Sequence, residues 1–226
     1  MKKTIYNKFN KEEIPGLPTV DFPGKIIVVM AANEAEKAVD YLLSQDILGV
    51  DTETRPSFRK GENYQVSLLQ VSSRDVCFLF RLNMMGMPHA IIRLLENKKV
   101  PMVGLSWHDD LNSLRRRADF TPGRFIDIQD MVGDLGIVDL SLQKLYANLF
   151  HQRISKRQRL SNWNADVLNE KQKLYAAIDA WACINLYDEI RRLRESDDYE
   201  LVVVEDKVVC ENETNDTNII IVEHEL

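Results

Sequence analysis

An acidic strand end constrains this chain more than any other feature of its sequence. The apolar residues 47–50 have the length of a buried strand, and Asp51-Thr52-Glu53 follows them directly. Side chains alternate along a strand, so Asp51 and Glu53 are expected to point the same way. Two carboxylates in one buried site need a partner, because an unpaired buried charge is costly. The stretch therefore predicts a divalent metal site.

Two other interpretations of this stretch stay open on these residues alone. A strand end in water also carries acids, with no ligand. An aspartyl-phosphate phosphatase places its nucleophile after an apolar strand as well, and would form its covalent intermediate at Asp51. Its second acid is usually Asp, however, and no later stretch supplies the rest of that pattern. Further acids at the ends of other elements decide between these classes.

Composition predicts an ordinary globular protein. The 226 residues are 45% hydrophobic and 28% charged, which suffices for one substantial core with or without a tail. No apolar run approaches the roughly 20 residues of a membrane span, and the basic start lacks the apolar core of a signal peptide. We expect a cytoplasmic protein with no membrane partner. Cys77, Cys183 and Cys210 are too far apart for a metal or disulfide framework.

The formal charge of -6 conceals a basic body. Residues 197–226 hold ten acidic residues against Lys207 alone, which leaves 28 basic and 25 acidic residues in residues 1–196, about +3. We therefore divide the chain into an N-terminal arm (1–24), a domain (25–196) and an acidic tail (197–226). Local basic patches on the domain are compatible with a nucleic-acid partner.

Strand patterns come first in the domain and alternate with helix patterns later. Strands are predicted at 25–30, 47–54, 64–71, 76–80, 100–104 and 124–128, and helices after a cap at Asn33, at 89–97, at 110–117, after a cap at Asp139 and at 169–194. This order predicts an α/β fold in which a mixed sheet of five or six strands, an antiparallel meander and then parallel strands, is flanked by helices. In the tail, residues 201–204 and 219–222 pair as strands or are disordered.

Two later stretches supply further acids. Asp109 and Asp110 follow a short strand that ends at Gly104, where they either cap a helix or, one of them, bind a ligand. Tyr175 and Asp179 are four residues apart on a helix, hence on one face. Small residues around them let that helix approach the sheet closely, although a buried Tyr–Asp pair can also be purely structural.

In this order, Asp51-Thr52-Glu53, the Asp110 region and Tyr175-x-x-x-Asp179 resemble the three motifs of the DEDD family of 3′-5′ exonucleases, in its tyrosine-bearing subgroup. Residues 155–163 and 172–180 are similar to the segment before and through the third motif in ribonuclease D and the Werner-syndrome exonuclease domain. The resemblance covers roughly residues 25–194. We choose Asp110 for the second motif because Gly104 precedes it by six residues and leucines follow it; Asp109 stays an alternative.

The resemblance implies a ribonuclease H-like fold and an enzyme that hydrolyses phosphodiester bonds from the 3′ end of DNA or RNA, releasing nucleoside monophosphates. It implies two Mg²⁺ or Mn²⁺ ions held by Asp51, Glu53, Asp110 and Asp179, with Asp51 between both ions. Tyr175, together with Glu53, would orient the attacking water. A catalytically silent nucleic-acid-binding module on the same fold is the alternative.

Contacts to a single-stranded or recessed 3′ end are predicted in three places. The loop after the first motif, the start of the second and the basic segment before the third contribute Thr54, Arg55, Lys60, Trp107, Lys156, Arg157 and Arg159. For Trp107, packing in the core is as compatible with the sequence as stacking on a base.

Overall fold

The computed structural model describes residues 2–59 and 61–205. Its strands in chain order are β1 Lys3–Tyr6, β2 Lys25–Val29, β3 Leu48–Thr54, β4 Val66–Ser72, β5 Val76–Phe80, β6 Met102–Gly104, β7 Phe125–Asp127 and β8 Tyr199–Val202. Its helices are α1 Ala32–Leu42, α2 Leu82–Met85, α3 His89–Leu95, α4 Trp107–Arg115, α5 Gln129–Val132, α6 Leu142–Phe150 and α7 Glu170–Ser196, with 3₁₀ turns at Ile14–Gly16 and Gly133–Leu135.

The main sheet has six strands in the order β2-β5-β4-β3-β6-β7. The centre is the antiparallel meander β3-β4-β5, whereas β6 and β7 add in parallel beside β3 and β2 adds in parallel to β5. This arrangement confirms the predicted α/β fold with a mixed sheet. It also places β3, the acidic strand, in the interior of the sheet.

Helices cover both faces of this sheet, and β3 supplies side chains to each. Leu48 and Val50 belong to the core beneath α1, α3 and α4, and Gly49 between them faces α7. Gly49 makes that second packing possible, because a Cβ there would lie 2.0 Å from the Ala180 carbonyl oxygen. The backbone of α7 can therefore approach β3 closely, two residues before Asp51.

Two predicted helix caps are wrong. Asn33 lies inside α1, where the Glu34 carboxylate accepts the backbone N–H groups of Met30 and Ala31 instead, at 3.1 and 3.2 Å. Several polar residues lie within a few positions of the start of α1, and sequence alone does not rank them as helix caps.

The second wrong cap is Asp139. Helix α6 begins after Ser141, whose hydroxyl accepts the N–H of Lys144 at 3.4 Å. The buried Asp139 carboxylate accepts hydrogen bonds from the backbone N–H of Phe9 and from the ammonium group of Lys144, both at 2.6 Å. Asp139 therefore fastens the N-terminal segment to α6.

A second, two-stranded sheet joins the two ends of the described chain. β1 and β8 pair in parallel from Lys3–Tyr199 to Tyr6–Val202, with Ile5 fully buried beneath them. Strand β8 thus pairs with the segment that we named the arm, and residues 219–222 lie outside the described residues. The division into arm, domain and tail stays a prediction. Across the described residues, no helix combines the length and apolar character needed to span a membrane.

Candidate metal centre

Three carboxylates meet where β3 passes beneath α7. One oxygen each of Asp51, Glu53 and Asp179 lies within 4.8 Å of the other two. Strand alternation puts Asp51 and Glu53 on the α7 side, and the close contact between Gly49 and Ala180 brings Asp179 down to them. The structure therefore brings together three of the four acids that the sequence predicts to bind metal.

One of these buried carboxylates has an oxygen without a partner in the part of the chain that the structure describes. Asp179 is 6% exposed, and its Oδ1 atom has no hydrogen-bond partner within the described residues. Burial raises the pKa of Glu53 to about 9, and the charges of Asp179 and Asp110 add to the rise. Burial likewise raises the pKa of Asp179 to about 7, against a hydrogen bond from Tyr175 and the charge of Lys156. Negative charge here is costly without a cation.

Burial and the neighbouring acids also raise the pKa of Asp51. Burial of the Asp51 carboxyl group raises its pKa well above the usual range, although the residue as a whole keeps some exposed surface. The charges of Asp179, Asp110 and Glu53 raise the pKa further, in that order. An all-carboxylate donor set with an unpaired buried oxygen fits hard divalent cations such as Mg²⁺ and Mn²⁺.

Asp110 stands beside the three-carboxylate group rather than in it. Its Oδ1 atom accepts a hydrogen bond from the hydroxyl of Thr52, the residue between the two acids of β3. Burial raises the pKa of Asp110 to about 6. The neighbouring Asp109 is exposed on the same helix. This geometry favours Asp110 over Asp109, and its role as a metal ligand stays a prediction.

Asp127 holds the helix that carries Asp110, a role that our sequence analysis missed. The carboxylate of Asp127, at the end of β7, is 8% exposed and accepts the backbone N–H groups of Ser106, Trp107 and Gln129 at 3.0, 2.7 and 3.0 Å. Ser106 precedes α4 with a φ of 59°, so the chain turns sharply there. The sequence signal that could have indicated Asp127 is its place at the end of a predicted strand, like the other acids of the site.

Tyr175 contributes a protonated phenol to this site. Burial raises the pKa of its phenol above the ordinary value of 10, and the charges of Asp179 and Glu53 raise it further. The buried Trp163 ring, 6.0 Å away between centroids, fixes the Tyr175 ring from the side. The hydroxyl group therefore stays protonated and can orient a water molecule, whereas a base at this position would need a low pKa.

Cationic side chains approach the carboxylates from the segment before α7. Lys156, Arg157 and Arg159 are exposed. The charge of Arg159 lowers the pKa of Glu53 and that of Lys156 lowers the pKa of Asp179, so both lie beside the acids. This placement is compatible with their predicted contacts to phosphate groups.

The loop after β3 forms the other flank. Thr54 is half-buried where the β3–β4 register shifts, and the exposed guanidinium of Arg55 lies 4.7 Å from the centre of the Tyr64 ring. Lys60, also predicted to contact nucleic acid, is outside the described residues. Phe58 and Leu160, which our sequence analysis did not single out, are 79% and 62% exposed and line one cleft between the two loops.

Trp107 does not offer a stacking surface. Its side chain is 1% exposed and packs on the Phe125 ring, with 5.3 Å between ring centres. The predicted contact of Trp107 with nucleic acid is therefore wrong, because both ring faces are taken up by the core. The residue anchors the first turn of α4 instead.

The fold and the site together define an α/β protein with a buried carboxylate centre between two cationic loops, an arrangement suited to phosphodiester chemistry. A family model described as 3′-5′ exonuclease matches residues 26–195. The chain belongs to the 3′-5′ exonuclease family, which confirms the family that the three motifs indicated.

Individual relatives agree with this assignment. The chain is 30% identical to the mouse bifunctional 3′-5′ exonuclease/ATP-dependent helicase WRN over 80% of its own length, which is 14% of that protein. It is 26% identical to a 3′-5′ exonuclease of Arabidopsis thaliana, over 85% of this chain and 73% of the relative.

Solved structures show the same fold. The EXO domain of Aedes aegypti Nibbler superposes with a TM-score of 0.68 at 18% identity, over 75% of this chain and 89% of that one. RNase D of Escherichia coli gives a TM-score of 0.67 at 16% identity, over 75% of this chain and 45% of that one.

Proposed function

We propose that this chain hydrolyses phosphodiester bonds from the 3′ end of a DNA or RNA strand with two bound Mg²⁺ or Mn²⁺ ions, releasing nucleoside monophosphates. The observation that carries the proposal is the convergence of Asp51, Glu53 and Asp179 within 4.8 Å, with a buried Asp179 oxygen left without a partner in the described part of the chain. Family membership supplies the reaction class.

Each residue has a part that follows from its position. Asp51, between the other acids, would contact both ions, Glu53 and Asp179 would hold one, and Asp110 would reach the second from α4. When bound, the ions supply Lewis-acid activation of water and relief of charge on the leaving oxygen. The protonated phenol of Tyr175 orients the attacking water beside Asp179. Lys156 and Arg159 neutralise the phosphates of the incoming strand.

Nucleic acid is the partner that the charge distribution supports. The two loops around the acids carry exposed arginines and lysines, and the exposed side chains of Phe58 and Leu160 between them suit the faces of unpaired bases. Among the fold relatives, Trypanosoma brucei RNase D has been solved in complex with RNA U12. DNA and RNA are both compatible with these features.

The test uses 3′-labelled and 5′-labelled DNA and RNA oligonucleotides incubated with the protein in Mg²⁺, Mn²⁺ or EDTA. We expect stepwise shortening from the 3′ end that requires metal and disappears in Asp51→Ala and Asp179→Asn. The same gel shows the sugar preference. Binding without cleavage under every metal condition would instead identify a catalytically silent binding module, and a covalent aspartyl-phosphate at Asp51 would identify a phosphatase.

A further inference from the structure

A pocket of about 400 Å³ opens beside Tyr175 and Arg157 and extends beyond the metal centre and the loops described above. One wall is the face of α7 that carries Leu174, Tyr175 and Ile178, and a second is the segment after α6, with Ile154. The volume lies in the range of about 300–1,000 Å³ that is typical of small-molecule sites. The hydroxyl group of Tyr175 lowers the pKa of Asp179, so this pocket shares a wall with the acidic cluster.

The third wall comes from the N-terminal segment, through Thr19 and Val20. Three hydrogen bonds fix this segment. The backbone N–H of Arg153 donates to the carbonyl of Pro18 at 2.9 Å, its carbonyl accepts from Val20 at 3.1 Å, and its Nε donates to the carbonyl of Leu17 at 2.9 Å. The wall is therefore built into the fold and is in place before any ligand arrives.

The lining combines an apolar floor with a cationic rim. Val20, Ile154 and Ile178 are buried apolar residues, whereas the exposed Arg157 and Lys171 stand at the edge. Such a lining suits a flat, largely apolar group that is joined to an anion. A nucleobase with its attached phosphate has this chemistry, and an apolar ligand without charge would leave the rim unused.

We propose that this pocket takes one nucleobase of the bound strand, next to the scissile phosphate, and that residues 17–20 form a wall of that subsite. The inference rests on the proposed function for the identity of the strand. It assigns the N-terminal segment to substrate binding, outside the three motifs that carry the chemistry.

The experiment is an abasic scan in EDTA, where no cleavage occurs. The affinity of the full chain is measured by fluorescence anisotropy for 12-nucleotide strands that lack a base at one position each. We expect one position near the 3′ end where loss of the base weakens binding about tenfold. Thr19→Trp, which fills the pocket from its mouth, should reduce that difference to less than about twofold and leave the penalties at other positions unchanged.

The matched control is Thr121→Trp, which adds the same bulk to an exposed threonine in the loop before β7. Because β3, β6 and β7 run parallel, this loop and the acids at the end of β3 lie at opposite edges of the sheet. It should retain the complete wild-type scan. A wild-type scan with no such position, or one that Thr19→Trp leaves unaltered, overturns the pocket assignment while cleavage in the metal assay stands. A positive scan without cleavage in metal would leave the pocket and overturn the nuclease.

A second variant covers the case in which Thr19→Trp does not fold. Lys171→Gln removes a rim charge from an exposed position in the first turn of α7. It should weaken binding of free nucleoside monophosphates several-fold and of nucleosides not at all, because only the former carry the anion. Mononucleotides that bind equally well to the variant would contradict the rim, and mononucleotides that bind without competing with the strand would contradict the assignment of this pocket to a base of the strand.

Discussion

The acidic cluster and the support of α4 both bury acids, and they treat them in opposite ways. At the acidic cluster, Asp51, Glu53 and Asp179 face one another, and a buried oxygen of Asp179 has no partner within the described residues. At the support of α4, Asp127 receives three backbone N–H groups. Both regions hold buried carboxylates, but only the first leaves charge to be compensated from outside the chain. A buried carboxylate with its donors in place holds structure, and one without them indicates a ligand.

The largest expected effect is on activity. Asp179→Asn should lower the rate of 3′-end removal by about 10³-fold or more, because an amide cannot supply the negative charge that holds a divalent cation. The measurement is single-turnover cleavage of a labelled strand in saturating Mg²⁺.

Asp139→Asn is the matched control for that variant. It makes the same chemical change at a buried acid that has its donors in place, Phe9 N–H and Lys144. Activity within a few-fold of wild type is expected. Equal losses in both variants would break the distinction between the two kinds of buried acid.

Asp127→Ala should have the largest effect on stability, roughly 2–3 kcal/mol, since three backbone N–H groups lose a charged acceptor. Urea unfolding followed by circular dichroism measures it. Because two of these N–H groups, those of Ser106 and Trp107, lie at the start of α4, cleavage should also fall about tenfold through displacement of Asp110. The exposed Asp109→Ala on the same helix should change unfolding by less than about 0.5 kcal/mol. A full-stability Asp127→Ala protein would show that α4 needs no such support.

Stability without metal should depend on pH in an unusual direction. The folded pKa values of Glu53 and Asp179, about 9 and about 7, exceed the usual values near 4 of an unfolded chain, so between pH 5 and 9 the native state binds more protons. The free energy of unfolding of the EDTA-treated protein should therefore fall as pH rises through that window. Added Mg²⁺ should restore it, more strongly at pH 8 than at pH 6. Thermal melts at four pH values test both.

Asp179→Asn again sharpens this comparison. In EDTA at pH 8, the variant should melt higher than wild type by on the order of 2–8 °C, because it removes one repelling charge. A variant that gains no stability in the absence of metal, or a wild-type protein stabilised by rising pH, would contradict the charge imbalance at the cluster.

The smallest effect is expected at Gln70, which lies directly opposite Asp51 on β4 and is fully buried. Its amide nitrogen and oxygen have no hydrogen-bond partner among the described residues. Gln70→Met keeps the shape and removes both polar atoms, so the free energy of unfolding should stay the same or rise by up to about 1 kcal/mol. Cleavage should change less than tenfold. A large loss of stability would mean that the Gln70 amide does form hydrogen bonds in the folded protein.

Local periodicity predicted the centre of the site but not its supports. Strand alternation was enough to place Asp51 and Glu53 together, and the four-residue spacing on a helix placed Tyr175 with Asp179. The role of Asp127 depends on a contact with residues 21 positions away, and no local pattern reports that. Trp107 shows the same limit, since a tryptophan in a sequence reads equally as core or as stacking surface.

Pairings between distant segments were also beyond the sequence. The six strands of the main sheet each carry their own apolar pattern, so their existence was predictable. The partner of β8 was not, because β1 is short and lies in a stretch rich in turn residues. Expectations for the tail considered only neighbours along the chain, whereas the strand that pairs with residues 199–202 is at the other terminus.

The β1–β8 sheet has a consequence for how the protein is made. During synthesis β1 is made 196 residues before the strand that it pairs with, since Lys3 is opposite Tyr199. Until then Ile5, fully buried in the finished fold, has no strand alongside it. Ile5 therefore stays without its partner strand while all six strands of the main sheet are made, and closure of the β1–β8 sheet is expected to follow the folding of the main sheet.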